Sequence, residues 1–221
     1  MVNTNLTKSK ERIRDHGEVF TPDFIVENML DLVVNETKRI ESRFLEPACG
    51  DGNFLIKILQ RKLDVVKKNY ARSQFDYEKY SLLAISSLYG IELLKDNTEK
   101  ARERLYKYFY KEYHKLYKRK ISDEFLKNIE YLLGKNIIQG DALSLKTPNG
   151  ELIVFSEWSL ANGKKIKRRD FQYSDLATLD QDMPSLFSVA EKSDSGETVF
   201  SPLPVKEYPL INFMEIHKAY E

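Results

Sequence analysis

The sequence predicts an α/β fold, a mostly parallel sheet flanked by helices, followed by a β-hairpin and an extended tail. Three observations carry this expectation. Apolar runs ending in an acid recur at Phe44 to Glu46, Leu88 to Glu92 and Ile137 to Asp141. Longer segments with apolar residues at helical spacing lie between them, the alternation of strand and crossover helix that builds a parallel sheet. The first run leads into a turn with Gly50 and Gly52 and then an apolar restart, within FLEPACGDGNFL.

Taken in order, residues 1–16 are charged and read as an irregular or helical arm. Pro22 and Asp23 open a helix running to about Val34, with Phe24, Met29, Leu32 and Val33 available for packing. Phe44 to Glu46 begins the sheet. Phe54 to Lys68 is helical, with Leu55, Ile58, Leu59 and Leu63 on one face, and Tyr77 to Ser87 adds a second helix before the strand ending at Glu92. In a simple βαβ unit the ribose-reading acid lies about 20 residues past the glycines. Glu92 is much farther along, and the inserted helix accounts for the excess. Lys95 to Tyr113 and Phe125 to Leu133 are the next helices, and Ile137 and Ile138 form the strand before Asp141.

After Leu143 the character changes. Glu151 to Leu160 and Lys165 to Tyr173 read as two strands joined through Ala161, Asn162 and Gly163. Ser174 to Ser201 is polar and acidic and reads as a mobile loop. SPLPVKEYPLI then returns as a proline-broken extended segment suited to docking on the body or a partner. The expected division is an arm at 1–16, a main domain at 17–150, and a hairpin with tail at 151–221.

At 221 residues with 42% hydrophobic content, the chain can bury one substantial core. A formal charge of +1 is not the strongly basic balance of a self-sufficient DNA-binding protein. Basic residues do cluster between Lys100 and Lys120, interleaved with tyrosines, and again at Lys164, Lys165, Lys167, Arg168 and Arg169. The first reads as a phosphate-contacting helix or as a solvated helix whose tyrosines pack on the domain; the second reads as a hairpin that touches a DNA backbone or an acidic patch on a partner, or as an exposed edge protected by charge. Cys49 is the one cysteine, so no internal disulfide forms, and His16, His114 and His217 lack metal-ligand spacing. No metal is expected. No apolar run is long enough to span a bilayer and the N-terminus has no apolar signal core, so a cytoplasmic location is expected.

A strand ending at Glu46 aims its carboxylate into the crevice at the carboxyl edge of the sheet, where open α/β sheets bind ligands. The glycines at 50 and 52 let backbone approach such a ligand. The third glycine of the dinucleotide pattern is absent, Leu55 standing in its place, and Glu46 would repel a pyrophosphate. A phosphate-free cationic nucleoside fits better, and S-adenosylmethionine has that chemistry. The alternative is a strand-turn-helix junction that binds nothing.

Four segments, GEVFTP at 17–22, FLEPACGDGNFL at 44–55, LYGIEL at 88–93 and NIIQGDAL at 136–143, resemble in order the cofactor-binding motifs of the amino-group DNA methyltransferases of restriction-modification systems, especially adenine-specific ones. The resemblance implies a Rossmann-like, S-adenosylmethionine-dependent methyltransferase fold, with 17–150 as its cofactor domain. It implies that Phe20, Thr21 and Pro22 contact the methionine end of the cofactor. Glu46, Ala48, Cys49 and Gly50, with Gly52 in the same loop, would line its amino acid and sulfonium. Glu92 would hold the ribose hydroxyls, and Asp141 with Ala142 would read the adenine ring. A cysteine nucleophile at Cys49 would need a base that the sequence does not identify.

The family also carries a catalytic Asn-, Asp- or Ser-Pro-Pro-aromatic loop, and this chain has no Pro-Pro pair. Where the loop is expected stands ELIVFSEWSL, in which Ser156, Glu157 and Trp158 offer a polar pair beside an aromatic but no proline-fixed backbone. Catalytic residues therefore remain unassigned. The expected function is a DNA adenine methyltransferase protein, or its cofactor-binding subunit, acting on DNA with a second polypeptide that brings the catalytic loop and the target-recognition region. The alternative is a non-catalytic S-adenosylmethionine-binding scaffold or sensor in a defence system. A methyltransferase acting on protein or RNA is a weaker third reading.

Overall fold

The computed structural model describes residues 21–177, 188–192 and 198–219. The expected arm, His16 and Phe20 lie outside the described residues. The described chain is α/β. It opens with α1 (Asp23–Asp31) and the short α2 (Val34–Thr37). A three-stranded, all-parallel sheet follows, made of β1 (Phe44–Glu46), β2 (Leu88–Glu92) and β3 (Ile137–Gln139) in that spatial order. The register Glu46↔Gly90 and Glu92↔Gln139 brings the carboxyl ends of all three strands to one edge.

Helices α3 (Asn53–Tyr70) and α4 (Gln74–Ser86) connect β1 to β2, and α5 (Lys95–Tyr117) and α6 (Asp123–Asn136) connect β2 to β3. Their apolar positions recur at helical spacing and are buried: Leu55, Ile58, Leu59, Leu63 and Val66 on α3, and Phe125, Ile129, Leu132 and Leu133 on α6. Two serines set the helix starts. Ser73 Oγ accepts from the Asp76 N–H and Ser122 Oγ from the Phe125 N–H, each at 3.2 Å. The Ser73 cap is why α4 begins at Gln74, a turn earlier than its apolar pattern suggests.

The first helix departs from expectation. It stops at Asp31, and Phe24, Met29, Leu32 and Val33 are exposed, while Val26 and Leu30 are buried. Charge chooses this face. Asp23, Glu27 and Asp31 recur at i, i+4 and meet two cations of α3: Lys57 Nζ lies 3.0 Å from Asp23 and 3.3 Å from Glu27, and Arg61 Nη2 lies 2.7 Å from both Glu27 and Asp31. Val26 and Leu30 lie toward the same side and enter the core, while Asp23 and Asp31 stay largely exposed.

The two faces of the sheet are covered differently. Leu88 and Ile137 pack into the helical core, whereas Tyr89 and Ile91 meet Ile153, Phe155 and Tyr173 on the other side. That second cover is a hairpin of β4 (Val154–Leu160) and β5 (Lys165–Gln172), paired from Val154↔Gln172 to Leu160↔Ile166. Next come α7 (Tyr173–Ala177) and a second hairpin, β6 (Ser188–Lys192) with β7 (Thr198–Pro202). These elements correct the expected mobile loop at 174–201, whose residues 178–187 and 193–197 lie outside the described ones. Turn-forming polar residues are concentrated at 193–197 in the sequence, and the flanking SVAEK and TVFSP carry the β-branched residues that favour strands. The proline-broken tail docks on the body: β8 (Lys206–Glu207) and β9 (Ile211–Asn212) both pair with β5, and α8 (Ile216–Ala219) closes the described chain.

Most tyrosines of α5 pack on the domain, Tyr110 being exposed. Phe109 and Tyr113 are fully buried, and Tyr106, Tyr108 and Tyr117 are partly so. Among the described residues, no helix is long and apolar enough to cross a membrane, and no group of His, Cys, Asp and Glu is arranged to hold a metal ion.

Candidate functional site

At the carboxyl edge of the parallel sheet lies a cleft of about 600 Å³, within the size range of small-ligand sites. It is lined by Thr21, by the segment from Glu46 to Gly50, by Glu92, and by Asp141 and Ala142, so it gathers residues from all four sequence segments. Asn53, Phe54, Asn97 and Leu143 join them. Three carboxylates face this space, and among the described residues lining it there is no lysine or arginine.

The loop after β1 is held from β2. The Cys49 N–H donates to Ile91 O at 2.9 Å, the Gly50 N–H to Glu92 Oε2 at 2.8 Å, and the Gly52 N–H turns back to Cys49 O at 2.8 Å. Glu92 Oε1 accepts from the Leu94 N–H at 3.0 Å and from Asn97 Nδ2 at 3.4 Å. With three donors on a carboxylate that has about four acceptor sites, Glu92 is first a clamp on the glycine loop. Only its remaining acceptor capacity is left for a ligand.

Glu46 differs. Its Oε2 is buried with no hydrogen-bond partner among the described residues. Burial, and secondarily the neighbouring Glu92 charge, push its carboxyl up to about 8. Thus at neutral pH this group is mostly protonated, where the sequence reading takes it as charged. A cation placed beside it would restore the carboxylate and supply the missing partner. Asp141 is held the other way: the Leu143 N–H donates to its Oδ1 at 2.9 Å, and this bond, with Ser144, keeps its carboxyl below the usual range.

The two loop glycines have separate tasks. Gly50, at φ +55°, lines the cleft, as expected. Gly52 does not line it. At φ +86° a Cβ on Gly52 would sit 3.2 Å from Ala101 Cβ, so this glycine lets α5 pack against the turn. Nor does Pro22 line the cleft. The close contact that a third glycine makes in dinucleotide folds occurs instead at Gly90, where a Cβ would meet Cys49 Sγ at 2.9 Å and Leu55 Cδ1 at 3.0 Å. Asp51, inside the same motif, is tied to α5 by Lys100 at 2.7 Å and Arg104 at 2.5 Å. Cys49 is 3% exposed and its thiol is pushed up by burial and then by the Glu46 and Glu92 charges, conditions that suppress a thiolate nucleophile.

Residues the sequence reading missed include Asn53, Phe54, Asn97 and Leu143. Asn53 Nδ2 donates to Thr21 O at 3.3 Å and its Oδ1 accepts from Arg104 at 2.9 Å, which couples the Thr21 segment to the glycine loop. A polar residue in the first turn after an acid-ended strand, as at Asn53 and Asn97, was the available signal.

Ser156, Glu157 and Trp158 are on β4 and none lines the cleft. Ser156 Oγ donates to Asp170 Oδ1 at 2.8 Å, Glu157 pairs with Arg43 and with Arg169 at 2.8 Å, and Trp158 is buried edge-on to Tyr131. Three of the hairpin's five basic residues pair with acids, two of these acids being on the hairpin itself. Arg168 is buried with its guanidinium bonded to Asp170 at 2.8 Å and stacked over Tyr208 at 4.3 Å, Lys167 pairs with Glu207 at 2.7 Å, and Lys164 sits over the Phe75 ring. On α5, Arg102 is bonded to Ile137 O, and Lys107 and Lys115 pair with Glu103 and Glu112. His217 contacts Asn128 and Glu124.

No family model, no curated protein and no solved structure matches this chain.

Proposed function

We propose that this chain is the S-adenosylmethionine-binding part of an adenine-specific DNA methyltransferase of a restriction-modification system, working with a second polypeptide that brings the catalytic loop. The observation that carries the reading is the cleft itself, in which Glu46, Glu92 and Asp141 converge with no basic side chain among the described lining residues. Such a site repels phosphate and favours a cation. The buried, unpartnered Glu46 oxygen is what a sulfonium or ammonium would satisfy. Glu92 would present its remaining acceptor capacity to ribose hydroxyls, and Asp141 with Ala142 would flank the base. When bound, the cofactor would supply an activated methyl group. The chain's own residues bind and orient it: the Glu92 clamp holds the loop, and Asn53 holds Thr21 over it. In this reading the cytoplasm is the site of action.

One observation favours a second reading, a non-catalytic cofactor-binding scaffold or sensor. The polar residues standing where the acceptor loop is expected are engaged in the β4–β5 hairpin, away from the cleft. Calorimetric titration with S-adenosylmethionine, repeated in buffers of different ionisation enthalpy, tests the site common to both. The expected result at pH 7 is saturable binding with release of close to one proton, from Glu46. Absence of binding, or binding of ATP in preference, would overturn the assignment. Methyl transfer to DNA on adding the partner, against none under any pairing, separates the two readings.

A further inference from the structure

The far ends of α3 and α5 form a basic surface that the cleft does not use. Asn53 and Asn97, in the first turns of these helices, line the cleft. From there the helices run 18 and 23 residues, about 27 and 34 Å at 1.5 Å per residue, to the opposite edge of the sheet. Their ends meet there, the Tyr117 hydroxyl donating to Ala71 O at 3.0 Å. Lys68 and Arg72 from the end of α3, and Lys111, Lys118, Arg119 and Lys120 from the end of α5 and the turn after it, are exposed. The side chains of these six form no ion pair or hydrogen bond with a described residue. Lys67 and Lys115, beside them, share the single acid Glu112, at 3.4 and 2.5 Å. Positive charge is therefore in excess at this end of the fold.

Within this surface is an open hollow of about 750 Å³, lined by Tyr110, His114, Lys115, Lys118, Arg119 and Ile121, with no acid among its lining residues. Tyr106, Tyr110 and His114 recur at i, i+4 and i+8 on α5, and their rings form a column. The centroids are 6.3 Å apart at 19° between the tyrosines, and 5.8 Å apart at 34° between Tyr110 and His114. Tyr110 is 40% exposed, so the column opens at the hollow. Lys118 ends the helix at a left-handed φ of +48°, a conformation costly to a residue with a Cβ, and starts a 3₁₀ turn over Lys118–Lys120. Cations in a last helical turn complement the helix dipole, which accounts for one or two of these charges but not for exposed rings among them. An acidic peptide would use the charges and leave the rings idle, and a duplex hides its base faces. A single strand uses both, its bases stacking on rings and its phosphates pairing with cations. We propose that this surface binds single-stranded nucleic acid, one base stacking on Tyr110 while neighbouring phosphates pair with Lys111, Lys118, Arg119 and Lys120.

The proposal uses no residue of the cleft, so it stands or falls apart from the cofactor reading. Fluorescence anisotropy of the purified full chain tests it, with labelled strands of deoxythymidine and of uridine about 20 nucleotides long. A duplex of the same length, polyglutamate and ATP serve as competitors. With about four phosphates neutralised, affinity for the strand should fall roughly fiftyfold between about 50 and 200 mM salt. Lys118→Gln, Arg119→Gln and Lys120→Gln together should reduce that fall to about threefold. Tyr110→Ala should weaken binding about fivefold or more at either salt concentration, and Tyr110→Phe should keep it, since the ring stacks and the hydroxyl does not. All these positions are exposed, and urea midpoints equal to that of the wild type would show that the variants keep the fold. No strand binding at the lower salt concentration would overturn the proposal. So would a duplex, polyglutamate or ATP bound as tightly as the single strands, a Tyr110→Ala affinity equal to that of the wild type, or a salt dependence that survives the triple replacement. Either strand bound with the expected responses upholds it, and the tighter of the two identifies the nucleic acid.

Discussion

Replacing Glu46 with glutamine should abolish the pH dependence of cofactor affinity. In the free protein the Glu46 carboxyl is pushed up to about 8, burial being the larger cause and Glu92 the smaller. A cationic ligand selects the carboxylate, so binding expels the proton, and affinity must rise with pH until about 8 and then level. If the bound carboxyl titrates far below neutrality, the apparent affinity scales with the ionised fraction, which is about 3% at pH 6.5 and about three quarters at pH 8.5. The wild type should therefore bind S-adenosylmethionine roughly twentyfold more tightly at pH 8.5 than at pH 6.5. Glu46→Gln keeps the shape and removes both the charge and the proton. Its affinity should be nearly flat across that range, close to the wild type at pH 6.5 and well below it at pH 8.5. The demethylated product, whose sulfur is neutral, should discriminate less between the two proteins. Isothermal titration at both pH values decides it. A wild-type affinity that is flat or falls with pH, or a variant that retains the wild-type slope, would refute the placement of a cation at Glu46.

Two further outcomes follow from buried geometry. Gly90→Ala should destabilise the fold by about 1 to 3 kcal/mol in urea unfolding, because its Cβ would lie 2.9 Å from Cys49 Sγ and 3.0 Å from Leu55 Cδ1. Adding Cys49→Ala should recover part of that loss, and strictly additive costs would show that the two side chains do not meet. Lys62 is fully buried, donating to Ile40 O, Ser42 O and Ser87 Oγ, and burial lowers its ammonium to about 7 against the opposing pull of Glu41 and Glu36. The unfolded chain binds this proton up to about pH 10.5 and the folded chain only to about 7, so its stabilising contribution is full above pH 10.5 and is lost as pH falls through 7. Urea unfolding of the wild type should show stability rising from pH 7 to 10, by an amount on the order of 5 kcal/mol at most, and Lys62→Met should lack that rise. Equal slopes in the two proteins would remove Lys62 as the cause.

What the sequence by itself determined is local: the alternation of helices and short apolar strands, the glycine turn, and the hairpin after residue 150; two of the three parallel strands end in an acid as expected, whereas β3 ends at Gln139, two residues before Asp141. These follow from residue spacing and turn chemistry within a few positions; the reading of 174–201 as a mobile loop passed over the SVAEK and TVFSP strands, whose β-branched residues were the local signal. The tertiary structure alone decided what each charged or small residue meets. Glu92 clamps Gly50 across 42 positions of sequence, and Arg43 reaches Glu157 across 114. Gly90 performs the packing that the motif assigns to a third glycine, Lys57 and Arg61 turn the exposed face of α1, and Arg168 goes from a basic patch into the core. Burial and long-range pairing depend on which elements become neighbours, and spacing along the chain does not encode that. The sheet order β1-β2-β3 is the extreme case, a property of no single segment.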